Sequence, residues 1–165
     1  RVPRAGHPVA LSGETMRFTH RFCTRAPLSD VAGFHGLSKS MAAITPPVVP
    51  VKMEEAPERM SDGDRIVFTL WLGPLPVRWH AYVGDVSPTG FTDQQLEGPF
   101  RYWLHRHTFR SLDQDTTAVI DEVRAGLRWH PLWAPVGLAM WLGLPLMFAY
   151  RAWKTRRLLE GRGDQ

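Results

Sequence analysis

Gly98-Pro99-Phe100-Arg101-Tyr102-Trp103-Leu104-His105-Arg106-His107-Thr108-Phe109, followed after a polar break by Thr117-Ala118-Val119-Ile120-Asp121, writes one strand, one turn and a second strand. Successive side chains of a strand point to opposite faces, so Trp103, His105, His107 and Phe109 share one face and Tyr102, Leu104, Arg106 and Thr108 the other. Asp113-Gln114-Asp115 supplies the turn. Centred on Gln114, an antiparallel register sets His107 opposite Asp121 and Phe109 opposite Val119, on the Trp103 face. Two imidazoles and a carboxylate in an aromatic wall point to a pocket.

Working outward, strand signals dominate. Residues 16–24 alternate Phe18, His20 and Phe22 against Arg17, Thr19 and Arg21, as in a half-buried strand. Pro27, Ser29 and Asp30 open a short helix toward Phe34 and Gly36, and a second over residues 38–43 ends before Thr45-Pro46-Pro47. Residues 48–54, 65–72, 77–86, 91–97, 100–112 and 116–127 read as further strands, with Asp62-Gly63, Gly73-Pro74-Leu75-Pro76 and Ser87-Pro88-Thr89-Gly90 as turns. Gly98-Pro99 marks a bulge or bend. The sum is about seven mostly antiparallel strands with no internal repeat.

The chain has 165 residues, 44% hydrophobic and 22% charged, which suits one globular core and argues against disorder in its body. Cys23 is the single cysteine, which excludes an intramolecular disulfide and a cysteine-rich zinc site and fits a reducing, cytoplasmic compartment. Much of the +4 net charge sits near the ends, in Arg1, Arg4, Arg151, Lys154, Arg156, Arg157 and Arg162. Without stacking aromatics set among a clustered basic face, nucleic acid is not an expected partner. Residues 1–15 carry no apolar run suited to a secretory signal, and Met16 stands directly before the first strand. They read as an extension outside the fold, with one domain over 16–160 and a tail over 161–165.

Residues 131–150 carry no charged side chain, and a basic stretch follows at once. That pattern fits a membrane span with a cationic flank, or a helix covered by the sheet. Pro135, Gly137, Gly143 and Pro145 interrupt it, which favours a buried helix opened by Pro145. Such a helix would run to about Leu159 and place Leu146, Tyr150 and Trp153 against the sheet, with Lys154 and Arg156 in solvent.

Taken together, Phe18-x-His20-x-Phe22, Thr45-Pro46-Pro47, Gly73-Pro74-Leu75-Pro76-x-x-Trp79, Phe91-x-Asp93-x-Gln95-x-x-Gly98-Pro99-Phe100-x-x-Trp103-x-His105-x-His107-x-Phe109, Thr117, Asp121 and Phe148-x-Tyr150-Arg151 resemble the SRPBCC superfamily. This is the helix-grip fold shared with START domains and birch-pollen-type allergens, and the nearest likeness is to its bacterial cyclase-like ligand-binding branch. The resemblance implies an α+β fold: a curved antiparallel sheet wrapped around a long C-terminal helix, two short helices after the first strand, and a cavity between sheet and helix.

On that frame the expected ligand-contacting residues are Trp79, Gln95, Phe100, Trp103, His105, His107, Phe109, Thr117, Asp121 and Tyr150. His105, His107 and Asp121 are also the candidate catalytic groups, since an imidazole backed by a carboxylate suits proton transfer near neutral pH. The same residues equally suit a buried hydrogen-bonded pair that fixes the hairpin register. A metal would need a third ligand beside the two histidines, for which only Asp121 or His20 offer themselves, so no metal and no cofactor are expected. No nucleophile motif or phosphate loop is present. Three readings stand: a pocket for a small hydrophobic or aromatic molecule, a polyketide cyclase or dehydratase-like enzyme, and a membrane-tethered domain with a closed pocket.

Overall fold

The computed structural model describes residues 15–161. Residues 1–14 and 162–165, on which the expected extension and most of the tail fall, lie outside the described residues. The elements run β1 (Met16–Thr24), α1 (Leu28–His35), α2 (Ser38–Ala43), β2 (Val51–Glu55), β3 (Arg65–Leu72), β4 (Leu75–Ser87), β5 (Gly90–Glu97), β6 (Phe100–Ser111), β7 (Thr117–Leu127) and α3 (Trp133–Glu160). The strands form one antiparallel sheet in the order β1-β7-β6-β5-β4-β3-β2. The expected α+β architecture, with its seven strands, paired short helices and long C-terminal helix, is the one observed.

Turn chemistry sets the registers. Gly73 at φ +59° closes β3 onto β4 through a two-residue turn, a backbone conformation that a side chain disfavours. Gly90 passes so close to the His107 carbonyl that a Cβ there would collide with it. Between β6 and β7 the register pairs His107 with Asp121 and Phe109 with Val119, as a turn centred on Gln114 requires.

One apolar cluster joins Phe68, Trp79, Phe100, Trp103 and Val123 of the sheet to Leu144 and Phe148 of α3. A second gathers Phe22, Phe109 and Val119 with Val31 and Phe34 of α1 and Ala152 and Leu159 of α3. Trp71 is 39% exposed near the end of β3.

The C-terminal helix differs from the sequence reading in length and in phase. It is a continuous 28-residue helix that starts at Trp133, twelve residues before Pro145. Pro135 falls in its first turn, where backbone N–H groups lack intrahelical partners anyway. Pro145 is interior but exposed, and it has no N–H to donate to the Trp141 carbonyl one turn earlier. Gly137 is not an interruption but a contact: a Cβ there would stand 3.2 Å from Leu127 Cδ2, so glycine lets the helix approach the sheet.

The buried stripe is Gly137, Leu144, Phe148, Ala152, Thr155 and Leu159. Phe148 fixes the phase, its ring 5.3 Å from Phe18 and 5.4 Å from His105. Leu146, expected against the sheet, is instead 79% exposed, Trp153 is exposed, and Tyr150 lies half-buried against Trp153 with ring centroids 5.4 Å apart. Lys154, expected in solvent, is half-buried, while Arg156 is exposed as expected. By length and composition α3 could cross a membrane, and only 17% of its most apolar window is buried.

Candidate functional site

A cavity of about 360 Å³ lies between the concave sheet, the short helices and α3. Its wall is mainly aliphatic, methionine and aromatic: Met41, Met53 and Met60 from the α2 to β3 region, Phe68, Trp79 and Trp103 from the sheet, and Met140, Leu144 and Met147 from α3. Unbranched methionines fill irregular space and repack around different shapes. At one end the wall turns polar, with His35, Asp93, His105, His107 and Arg151.

Three neighbouring strands build that polar end. Asp93 of β5 pairs in register with His105 of β6, and Asp121 of β7 with His107. His105 Nδ1 lies 3.2 Å from Asp93 Oδ2, and its Nε2 lies 3.1 Å from Asp121 Oδ1. His107 Nε2 lies 3.3 Å from Asp93 Oδ2. Its Nδ1 is 2.9 Å from Asp121 Oδ1 but off the line of a hydrogen bond. Two imidazoles, centroids 3.8 Å apart, therefore stand between two carboxylates. Phe91 stacks on His107 at 4.3 Å.

Burial by itself would push the His105 imidazolium toward neutrality. Asp93 beside it and the hydrogen bonds to both aspartates outweigh that, lifting His105 to about 9. Burial likewise opposes ionisation of Asp93 and Asp121, yet the histidines hold both well below the usual carboxylate range. His35 goes the other way: its burial, reinforced by the charge of His107, lowers it to about 3, so it is neutral. The Arg151 guanidinium, lowered by burial but still a cation, sits 5.4 Å over the Phe148 ring, reaches Thr45 Oγ1 at 3.5 Å, and leaves its Nε without a partner.

Of the ten residues expected at the site, Trp79, Trp103, His105 and His107 line the cavity. Asp121 lies behind the histidines. Gln95 lies outside: its Nε2 donates to the Phe100 carbonyl at 2.8 Å and its Oε1 accepts from the Phe100 N–H, stapling the Gly98-Pro99 bend. Phe100 and Phe109 are core residues, each 2% exposed. Thr117 donates to the Ala26 carbonyl, and Tyr150 sits away from the cavity on α3. Sequence reasoning missed Asp93, Arg151 and His35. For Asp93 the signal was available, because a turn centred on Pro99 sets Asp93 opposite His105 by the same parity that pairs His107 with Asp121.

No protein-family model matches the sequence, and no curated protein matches it. Solved structures do match in shape. The Zhui aromatase/cyclase from Streptomyces sp. R1128 superposes with a TM-score of 0.63 at 17% identity, covering 88% of this chain and 96% of that one. Norcoclaurine synthase from Thalictrum flavum, in complex with dopamine and hydroxybenzaldehyde, gives 0.68 at 16% identity, over 98% and 96%. The fold is the helix grip. The di-domain aromatase/cyclase StfQ of the steffimycin biosynthetic pathway gives 0.68 at 10% identity, with 92% of this chain covering 52% of that one. At such identities the helix-grip likeness speaks for architecture, and function has to be argued from the site.

Proposed function

We propose that this protein binds a small, largely apolar molecule in the cavity under α3, with an oxygen-bearing group of that molecule turned toward His107, Asp93 and Arg151. The observation that carries the reading is a cavity of about 360 Å³ whose wall is apolar except at one charged end. Ligand sites of ~300–1,000 Å³ typically combine an apolar lining with a few convergent polar groups. The unpartnered Arg151 Nε is a donor that a ligand carbonyl or carboxylate would satisfy. A single domain over 16–160 in the cytoplasm suits this reading.

Native mass spectrometry of untagged protein from its source tests it. A copurifying small molecule, lost when Arg151 is replaced by Met, is the expected result; empty protein that takes up no apolar probe would overturn it.

A second reading is a cyclase or dehydratase-like enzyme in which His107 acts as general acid or base. It is favoured by the position of His107 at the cavity wall with Asp121 behind it. The helix-grip aromatase/cyclases make that chemistry a proposal for this chain by analogy alone. Turnover of a polyketide substrate that disappears in His107→Gln while binding persists would select it over simple binding.

A further inference from the structure

The third ligand that the sequence reading lacked stands on β5. Asp93 Oδ2, His105 Nδ1 and His107 Nε2 converge, with the donor atoms of the three residues all within 4.8 Å of one another. Two edges of that triangle, 3.2 and 3.3 Å from Asp93 to each histidine, match the spacing of donors around one tetrahedral ion. Donors about 2.0–2.1 Å from zinc stand about 3.3 Å apart. Both histidines present a nitrogen toward Asp93 and turn the other ring nitrogen toward Asp121 Oδ1, at 3.1 and 2.9 Å. A carboxylate behind the ring is how proteins orient a metal-bound imidazole and fix its tautomer. All three ligands line the cavity, so a coordination position remains open on that side.

We infer that Asp93, His105 and His107 form a two-histidine, one-carboxylate site for a divalent first-row metal ion, with Asp121 hydrogen-bonded behind His105 and in close contact with His107, and the open position facing the apolar cavity. Two nitrogens and one oxygen suit zinc or ferrous iron and disfavour magnesium and calcium, which take oxygen shells. The three ligands come from the central strands β5 and β6, so the sheet registers preorganise them. This inference is independent of the ligand proposed above: a metal site without that ligand, and a ligand pocket without metal, are both coherent outcomes.

The test is metal binding by the untagged full chain after chelator treatment. Isothermal titration with Zn²⁺ should give one site per chain, and Co²⁺ should give visible absorption of a four- or five-coordinate ion. Asp93→Asn, which keeps side-chain shape, should weaken Zn²⁺ at least a hundredfold, and Asp121→Asn about ten- to a hundredfold. Glu97→Gln, which alters a carboxylate beside His80 and outside the site, should leave affinity unchanged. Circular dichroism checks that each variant is folded. His107→Gln provides a second ligand variant if Asp93→Asn does not fold.

Absence of saturable Zn²⁺ and Co²⁺ binding by folded protein would overturn the inference. So would a site whose affinity is the same in folded Asp93→Asn and His107→Gln. Uptake of an apolar fluorescent probe, measured in chelator, reports separately on the cavity.

Discussion

Asp121 reaches two histidines with one carboxylate oxygen, touching His107, its register partner, at 2.9 Å and His105, which lies diagonally across the strands, at 3.1 Å. Its side chain is 7% exposed. The contact lies inside a sheet where water offers little replacement for a lost partner. Removing one member of a buried ion pair costs about 3–5 kcal/mol, against a total of about 5–15 kcal/mol for a domain. Asp121→Ala in chelated protein should therefore lose about that much by denaturant unfolding, with Asp121→Asn losing less. A loss below about 1 kcal/mol for the alanine variant would mean that the cluster contributes little to the fold.

His105 should prove more structural than His107. Both ring nitrogens of His105 engage a carboxylate at 5% side-chain exposure, whereas His107 keeps one nitrogen without a well-aligned hydrogen bond. His105→Ala should lower the melting temperature several degrees more than His107→Ala, while His107→Ala should change ligand retention with the fold intact. Equal destabilisation by both, with retention unchanged, would count against the division.

Acid should act through His35. A histidine whose folded pKa of about 3 lies below its ordinary 6.5 binds fewer protons folded than unfolded. Its contribution to stability is therefore full above pH 6.5 and drains away as pH falls toward 3, with a slope of at most about 1.4 kcal/mol per pH unit. The charges facing it are those of His107, Asp121, Arg151 and His105, and its ring packs 5.1 Å from Phe109. His35→Phe should flatten the stability profile between pH 6.5 and 4.5, read as the difference from wild type. Parallel profiles would show that His35 does not titrate on unfolding in that window.

Filling the cavity separates pocket from core. Leu70 lines the space from β3 and is only partly buried. Leu70→Trp should reduce uptake of an apolar fluorescent probe about tenfold or more while moving the melting temperature by only a few degrees, since the added bulk enters space already empty. Unchanged uptake would place the probe elsewhere.

The outer face of α3 exposes Leu138, Leu142, Leu146 and Trp153, while Leu144 and Phe148 are held in the sheet. Carbonate at high pH should release the protein from membranes without detergent, because crossing a bilayer would require withdrawing those buried residues. Retention in the pellet would overturn the cytoplasmic reading and favour the membrane-tethered one. Truncation before Pro145 should aggregate, as it uncovers the concave face.

The strands were legible because their signal is local. Alternation and a turn centre suffice to place His107 opposite Asp121, and the bounds of β1 and β3 agree with the expected 16–24 and 65–72. The helix was less legible because proline and glycine carry opposite meanings in different surroundings. Pro145 is tolerated on an exposed side and Gly137 is wanted for close approach, neither of which periodicity reveals. Arg151 lines the cavity where the sequence pattern points to its neighbour Tyr150, since one residue of helical phase rotates a side chain by about 100°. The cavity's charged end also takes His35 from α1 and Arg151 from α3, and where those helices meet the sheet is not encoded in any local pattern.

At the far end of α3, Arg156 Nε donates to the Cys23 carbonyl at 2.8 Å, and Glu160 accepts from the Arg25 N–H at 2.9 Å and from Thr24 Oγ1 at 3.3 Å. These contacts fall on the last residues of β1 and on Arg25 directly after it, and β1 is one of the two strands that terminate an unclosed sheet. A bare terminal strand is a template on which another chain can add its own. The last turn of the helix thus caps one end of that rim, and its loss would leave the Cys23 carbonyl without this donor and open to a strand of another chain.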